Sequence, residues 1–364
     1  MKTGFENKEE LKQIFAGIEP AFKVADGKKF IIAGPCSAES CEQVVETAIG
    51  VREAGANVLR AGIWKPRTRP GCFEGIGAPG LMWLQEARRV TGLPVTTEVA
   101  TPAHVEAALA AGVDILWIGA RTTVNPFSVQ AIADALRGCD VPVMVKNPAN
   151  PDIELWIGAM QRLYNAGIRK ITAIHRGFSS YGSTVYRNPP QWQLPIELHR
   201  RMPDLQMICD PSHISGKRDL VAPLAHQAYE LGFNGLMIET HRCPCEALSD
   251  ASQQLTPAEL KALLASLVEQ KGSTTSADLA SLRSRIDNID DELLVLLSKR
   301  MALSDEVGKI KVANNMQVLQ PERYETLMES RVGKAVELGL DRDFISALLS
   351  AIHAESVNRQ LKLK

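Results

Sequence analysis

The sequence has no apolar stretch long enough to cross a bilayer. Its first residues, MKTGFENKEELKQIF, are charged and contain no signal-peptide core. No dense basic run occurs, and 41 Lys and Arg stand against 42 Asp and Glu, for a formal net charge of -1. Neither nucleic acid nor an anionic membrane is therefore expected as a partner. The seven cysteines are odd in number and irregularly spaced, so they make no disulfide framework. That points to the reducing cytoplasm. What is present is ordinary globular composition, 45% hydrophobic and 23% charged, over 364 residues. Such a length suits two domains and a large core.

From Phe30 to about Val268 one unit recurs, a short apolar run that ends in polar or glycine residues and is followed by an amphipathic helical stretch. The runs are FIIAGP (30–35), NVLRAG (57–62), PVTTEV (94–99), DILWIGA (114–120), PVMVKN (142–147), KITAIHRG (170–177), QMICDPS (206–212) and GLMIET (235–240). Near-continuous apolar strands alternating with helices mean a parallel sheet covered on both faces. A doubly wound open sheet satisfies that pattern, but eight such units in this length fit a closed (β/α)8 barrel better. KGSTTSA (271–277) then has linker composition. Beyond it DLASLRSRIDNIDDELLVLLSKRMALSDEVGKIKVANN keeps helical spacing longer than an ordinary globular helix. Two more helices are expected, separated at Gly339. The expected architecture is thus a TIM barrel over 1–270, a linker over 271–277 and a small all-helical domain over 278–364. So small a helical core favours a homodimer or higher homo-oligomer.

In a barrel the strand ends carry the site, and here each run ends in reactive groups. Cys36, His213, Glu239 and Asp250 form one set, a thiolate, an imidazole and two carboxylates. That mixture suits Mn²⁺, Fe²⁺, Co²⁺ or Zn²⁺ better than Mg²⁺ or Ca²⁺. Arg60, Lys65, Arg67, Arg121, Lys146 and Arg176 form a second, cationic set, which calls for an anionic ligand held by bidentate contacts. Thr68 adds a hydroxyl beside Arg67, and Glu98 ends the third run. Cys243-Pro244-Cys245 could bind metal or form a redox pair, and reads more simply as a loop feature without a chemical role.

Taken in order, IAGPCS, KPRT, TEV, IGAR, VKN, HRGF, DPSH and IETH, with Asp250 in LSDASQQL, resemble the 3-deoxy-D-arabino-heptulosonate 7-phosphate (DAHP) synthases from about Phe30 to Leu255. KPRT sets the chain apart from the sibling enzymes that use arabinose 5-phosphate, the rival barrel reading. The resemblance implies a divalent metal, most simply Mn²⁺, on Cys36, His213, Glu239 and Asp250. It implies phosphoenolpyruvate (PEP) contacts from Arg60, Lys65, Arg121, Lys146 and Arg176, and erythrose 4-phosphate contacts from Arg67 and Thr68. Glu98 is placed with these substrate contacts, and Lys65 is the candidate acid. The chain departs from many relatives in RPG after KPRT and in HRGF where Glu-Arg-Gly is usual.

In the tail, Arg300 and Lys311 lie about three turns apart on one helical face, as do Ser356 and Gln360 at one turn. Arg283 lies about a quarter turn from the Arg300 face, so a partner helix could supply it, which suggests a cationic pocket shared between two interlocked chains. The pattern resembles the all-helical chorismate mutases from about Asp278 onward, which implies site residues Arg283, Arg300, Lys311, Arg323, Ser356 and Gln360 and the ligands chorismate and prephenate. Tyr324 stands where that family usually has an acid, and Gln320 replaces a common Asp, so the group that binds the substrate hydroxyl is left unassigned. A tail that binds these ligands without turnover, purely as a sensor, is the rival reading.

Overall fold

The computed structural model describes residues 8–22, 29–65, 71, 73–181, 184–268 and 276–363. Contacts divide the chain into two compact units, 1–271 and 272–364. In the first, eight parallel strands close into a barrel: β1 (Phe30–Gly34), β2 (Val58–Arg60), β3 (Val95–Val99), β4 (Ile115–Ile118), β5 (Val143–Lys146), β6 (Ile171–His175), β7 (Gln206–Cys209) and β8 (Gly235–Glu239). Closure is made by β8 against β1, with Phe30 opposite Gly235 and Gly34 opposite Glu239. The closed sheet is the one expected from the eight recurring units.

Two apolar layers follow from the period of two along each strand. Ile32, Val58, Trp117, Met144, Ile174, Ile208 and Met237 fill the barrel interior. Their neighbours, such as Leu59, Leu116, Val145 and Ile238, face the surrounding helices. Several of those helices start on a side chain that satisfies a free backbone N–H: Ser40 accepts from Gln43, Thr101 from His104, and Asp152 from Leu155.

His175, at the end of β6, is on the helix-facing side and fully buried among Trp156, Phe178, Trp192 and Phe233. Burial first, and then Arg176, lower its pKa from 6.5 to about 3, against the Pro190 carbonyl and Asp210. Between these values the unfolded chain takes up a proton that the folded chain refuses. The neutral ring's stabilisation is therefore complete above pH 6.5 and is lost as pH falls toward 3. The slope is about 1.4 kcal/mol per pH unit. Replacing His175 by Leu is expected to remove that slope from the acid side of the barrel's unfolding curve, followed by the fluorescence of the neighbouring tryptophans. An unchanged slope would assign the acid sensitivity to other groups.

The second unit is three helices, α1 (Ser276–Ala313), α2 (Pro321–Glu337) and α3 (Arg342–Leu361). Gly339 follows α2 with φ +83°, a conformation that glycine adopts without strain. A small buried cluster of Val332, Ala335 and Ile345 joins α2 to α3. Along α1, by contrast, Leu282, Ile286, Ile289, Leu293, Leu296, Leu303 and Ile310 are exposed. No described helix is long and apolar enough to cross a membrane.

Candidate active sites

Side chains two residues apart on a strand share a face. Val58, Met144, Ile174, Ile208 and Met237 point inward, so Arg60, Lys146, Arg176, Asp210 and Glu239 point into the same interior at its C-terminal mouth. All five are buried. Trp117 lies among them, with the Arg60 guanidinium 5.0 Å and Lys146 Nζ 5.9 Å from its ring. The Trp117 indole N–H donates to Glu98 Oε2 at 3.1 Å. Glu98 in turn occupies the space above Gly119, where any Cβ would come within 2.0 Å of Glu98 Oε1. Arg121 is exposed on the short helix after β4. Burial, with Arg187 and Arg121 close by, holds the Arg176 guanidinium down to about 10, against Asp210. Arg67 and Thr68 lie outside the described residues.

Opposite the cations, one donor atom each of Cys36, Glu239 and Asp250 lies within 4.8 Å of the others. Cys36 Sγ is 3.3 Å from Asp250 Oδ2. Lys65 Nζ donates to the Cys36 carbonyl at 2.7 Å and lies 2.9 Å from Cys36 Sγ. His213 stands one carboxylate away from the trio, its Nε2 3.6 Å from Glu239 Oε1. Its Nδ1 is 2.8 Å from Asp210 Oδ2, and Lys146 Nζ is 2.9 Å from that same oxygen. Asp210 Oδ1 also accepts from the His213 backbone N–H at 3.0 Å. Asp210 thereby anchors the imidazole to the barrel mouth.

These residues fit a divalent metal on the evidence of their own unmet valences. His213 Nε2 faces Glu239 Oε1 at 3.6 Å, and His213 Nδ1 is buried without a hydrogen bond. Glu239 Oε1 is buried without a hydrogen bond. Burial, followed by the charge of Glu239, pushes the Cys36 thiol up to about 12. Glu239 is itself held below the usual carboxylate range, because His213 and Arg60 outweigh the cost of its burial. Asp250 is also lowered, by His213 and Arg187 against burial. A thiol and two carboxylates that converge, with an imidazole one carboxylate away, are a donor set that suits a divalent transition ion.

Sequence reasoning missed the residues that hold this cluster in place. Arg187 Nη1 donates to Asp250 Oδ1 and Gln253 Oε1, both at 2.9 Å, and Gln253 Nε2 donates to Glu239 Oε2 at 2.6 Å. The adjacent Asn188 donates to the His213 carbonyl at 2.7 Å. Gly177 permits this approach, since a Cβ there would lie 2.1 Å from the Asn188 carbonyl oxygen. One segment thus fastens three candidate ligands. Arg187→Ala is expected to weaken Mn²⁺ binding about 10- to 100-fold, the scale of lost support behind a ligand. Equilibrium dialysis measures this, and unchanged affinity would reduce Arg187 to a surface ion pair.

In the helical unit a cleft of about 270 Å³ is lined by Arg300, Lys311, Arg323, Ser356 and Gln360, together with Gln320, Tyr324 and His353. Arg300 Nη1 donates to Ser356 Oγ at 2.6 Å, Lys311 Nζ to the Val318 carbonyl at 2.6 Å, and Gln360 Nε2 to Ser304 Oγ at 3.0 Å. Gln360 Oε1 is buried without a partner. Arg283 is exposed and does not line the cleft. His353, its ring tilted against Tyr324 at 4.4 Å between centroids, was not singled out from sequence; burial, Arg300 and Lys311 lower its pKa. Five of the six residues named from sequence therefore meet in one cationic cleft.

Residues 10–276 match the DAHP synthetase I family. The chain belongs to that family. Residues 282–361 match chorismate mutase type II, so the helical unit is a chorismate mutase domain and the chain carries both enzymatic activities. The phospho-2-dehydro-3-deoxyheptonate aldolase of Thermotoga maritima is 36% identical over 233 residues, spanning 64% of this chain and 67% of its own. A crystal structure of that DAHP synthase superposes with a TM-score of 0.61 at 34% identity, covering 68% of this chain and 70% of that one. The 2-dehydro-3-deoxyphosphooctonate aldolase of Dechloromonas aromatica is 28% identical over 70% of this chain and 95% of its own. The higher identity to the heptonate enzyme speaks against the octonate reading. DAHP synthases of this family generally need a divalent metal, and the Cys36, Glu239 and Asp250 cluster is a possible ligand set for it.

Proposed function

We propose that the DAHP synthase barrel condenses PEP with D-erythrose 4-phosphate to give DAHP and inorganic phosphate, and that the helical unit rearranges chorismate to prephenate. The observation that carries the first reading is the meeting of buried cations (Arg60, Lys146, Arg176) with the metal-suited cluster at one barrel mouth. Cys36, His213, Glu239 and Asp250 would hold the ion, which we assign as Mn²⁺, with Fe²⁺, Co²⁺ and Zn²⁺ as alternatives. When bound, such an ion supplies Lewis acidity to the aldehyde carbonyl. Arg60, Lys146 and Arg176, with Arg121 at the rim, clamp the carboxylate and phosphate of PEP so that its C3 faces the aldehyde carbon. Carbon–carbon bond formation leaves an alkoxide, and Lys65 Nζ, held beside Cys36, is placed to give it a proton. Water adds at C2 and phosphate leaves. Arg67 and Thr68 are assigned to the phosphate of erythrose 4-phosphate.

Chorismate rearrangement needs no nucleophile. Arg300, Lys311 and Arg323 face its carboxylates and ether oxygen, while Ser356 and Gln360 present hydroxyl and amide groups. Together they hold the compact conformer and stabilise charge as the ether bond breaks. Arg283 would reach the cleft from a second copy, for which the exposed apolar face of α1 is the contact in a homodimer. We further assign a sensor role to this cleft, in which prephenate or chorismate restrains the barrel by binding an inhibited arrangement more tightly than the active one.

The purified chain should turn over PEP with erythrose 4-phosphate but not with arabinose 5-phosphate, lose that activity to a chelator, and retain mutase turnover. Preference for arabinose 5-phosphate would overturn the barrel assignment. Inhibition of condensation by prephenate should vanish in Arg300→Ala; equal inhibition with and without Arg300 would move the effector site elsewhere.

A further inference from the structure

The loop after β8 runs from Glu239 to Asp250, two of the three clustered carboxylate and thiol ligands. Midway along it, Cys243 Sγ and Cys245 Sγ are 2.8 Å apart, inside the contact distance of non-bonded sulfurs and without a covalent bond. A single 3-10 turn, Pro244–Glu246, produces the approach. The Glu246 N–H donates to the Cys243 carbonyl at 3.0 Å and closes the turn. Pro244 fixes one backbone angle between the two thiols and reduces the conformations lost on bringing them together. Cys245 is exposed and Cys243 half-buried, so a reagent reaches one sulfur and the second sits behind it.

The turn is wired to the barrel mouth. The Cys243 N–H donates to His241 Nδ1 at 3.0 Å, and His241 Nε2 lies 3.8 Å from Glu39 Oε2. Glu39 Oε1 accepts from Ser37 Oγ and from the Leu248 N–H, each at 2.9 Å. Ser37 Oγ and Ser249 Oγ, 2.6 Å apart, close the circuit next to Cys36 and Asp250. A covalent change at the two sulfurs therefore acts on the segment that sets where Asp250 stands.

We propose that Cys243 and Cys245 are a reversible dithiol–disulfide site, closed by low-molecular-weight disulfides, whose closure changes divalent-metal affinity at the barrel mouth. The Cys245 thiolate attacks one sulfur of the reagent disulfide, forming a mixed disulfide and releasing one thiolate. The Cys243 thiolate attacks Cys245 Sγ, forming the internal bond and releasing the second. Both cysteine protons pass to solvent and on to the released thiolates. The protein loses two electrons and the reagent gains them. A disulfide across one intervening residue is strained and exposed, which places it among the labile bonds that cellular thiols reopen.

The test treats the full-length, Mn²⁺-loaded chain with oxidised glutathione, blocks free thiols and digests with trypsin. Cleavage after Arg242 and Lys261 releases both cysteines in one peptide with no other cysteine. The expected product is that peptide lighter by two hydrogens, restored by reduced glutathione. Closure should be at least ~10-fold more favourable in the folded chain than in urea, because the turn raises the effective concentration of one thiol at the other. Mn²⁺ affinity of the oxidised chain should shift by at least ~3-fold, comparable to other changes behind a metal ligand. In the Cys243→Ser, Cys245→Ser double variant it should not respond. A peptide carrying glutathione adducts or two free thiols, or equal closure folded and unfolded, would overturn the site. Closure with unchanged Mn²⁺ affinity would overturn its link to the metal.

Discussion

Cys36→Ala is expected to lower DAHP synthesis by at least ~1000-fold, because loss of the ion removes several kcal/mol of stabilisation at the aldehyde oxygen. Chorismate turnover should stay within about two-fold, since every residue of that cleft belongs to the second unit. Metal content falls with the condensation if the thiol is a ligand. The parent chain supplies an independent check. Its Cys36 thiol stands at about 12, so an incoming ion must displace that proton. Mn²⁺ affinity should then rise about ten-fold per pH unit through neutrality, with one proton released per ion bound. Affinity indifferent to pH, or a Cys36→Ala chain that keeps stoichiometric metal and normal condensation, would remove Cys36 from the site.

Arg300→Ala should lower the mutase kcat by about 100- to 1000-fold, the usual loss when one donor is removed from a site that stabilises developing charge. The guanidinium also holds Ser356 Oγ at 2.6 Å, so a structural explanation competes. Arg300→Lys separates the two. An ammonium retains the charge but not the planar fork, so partial recovery of kcat indicates an electrostatic role. Full recovery would reduce Arg300 to a support for Ser356. Condensation measured without prephenate should be unaffected by either substitution.

The barrel was legible because most of its strands are apolar on both faces and separated by helix-length segments, so FIIAG, ILWI and GLMIE announce themselves. The cations were legible because each follows an apolar run; that Arg60, Lys146 and Arg176 point inward is set by the period of two along their strands. Asp210 was visible as a reactive group at a strand end, but its hold on both His213 and Lys146 was not, because Lys146 is distant in sequence. Arg187 and Gln253 carried no signal at all. Their partners are Asp250 and Glu239, and only folding brings a loop after β6 against the loop after β8.

Arg60 carries a cost that the free enzyme recovers only in part. Its guanidinium is 1% exposed, and Nε and Nη1 have no hydrogen-bond partner among the described residues. Each such buried donor costs about 1–3 kcal/mol of folding free energy. Part of that cost is offset by the pairing of Nη2 with the buried Glu239 Oε1 at 3.3 Å. Ligands that satisfy these two idle nitrogens should raise the melting temperature of the arginine form alone. The site is in this sense a spring compressed during folding and released by the anion it awaits.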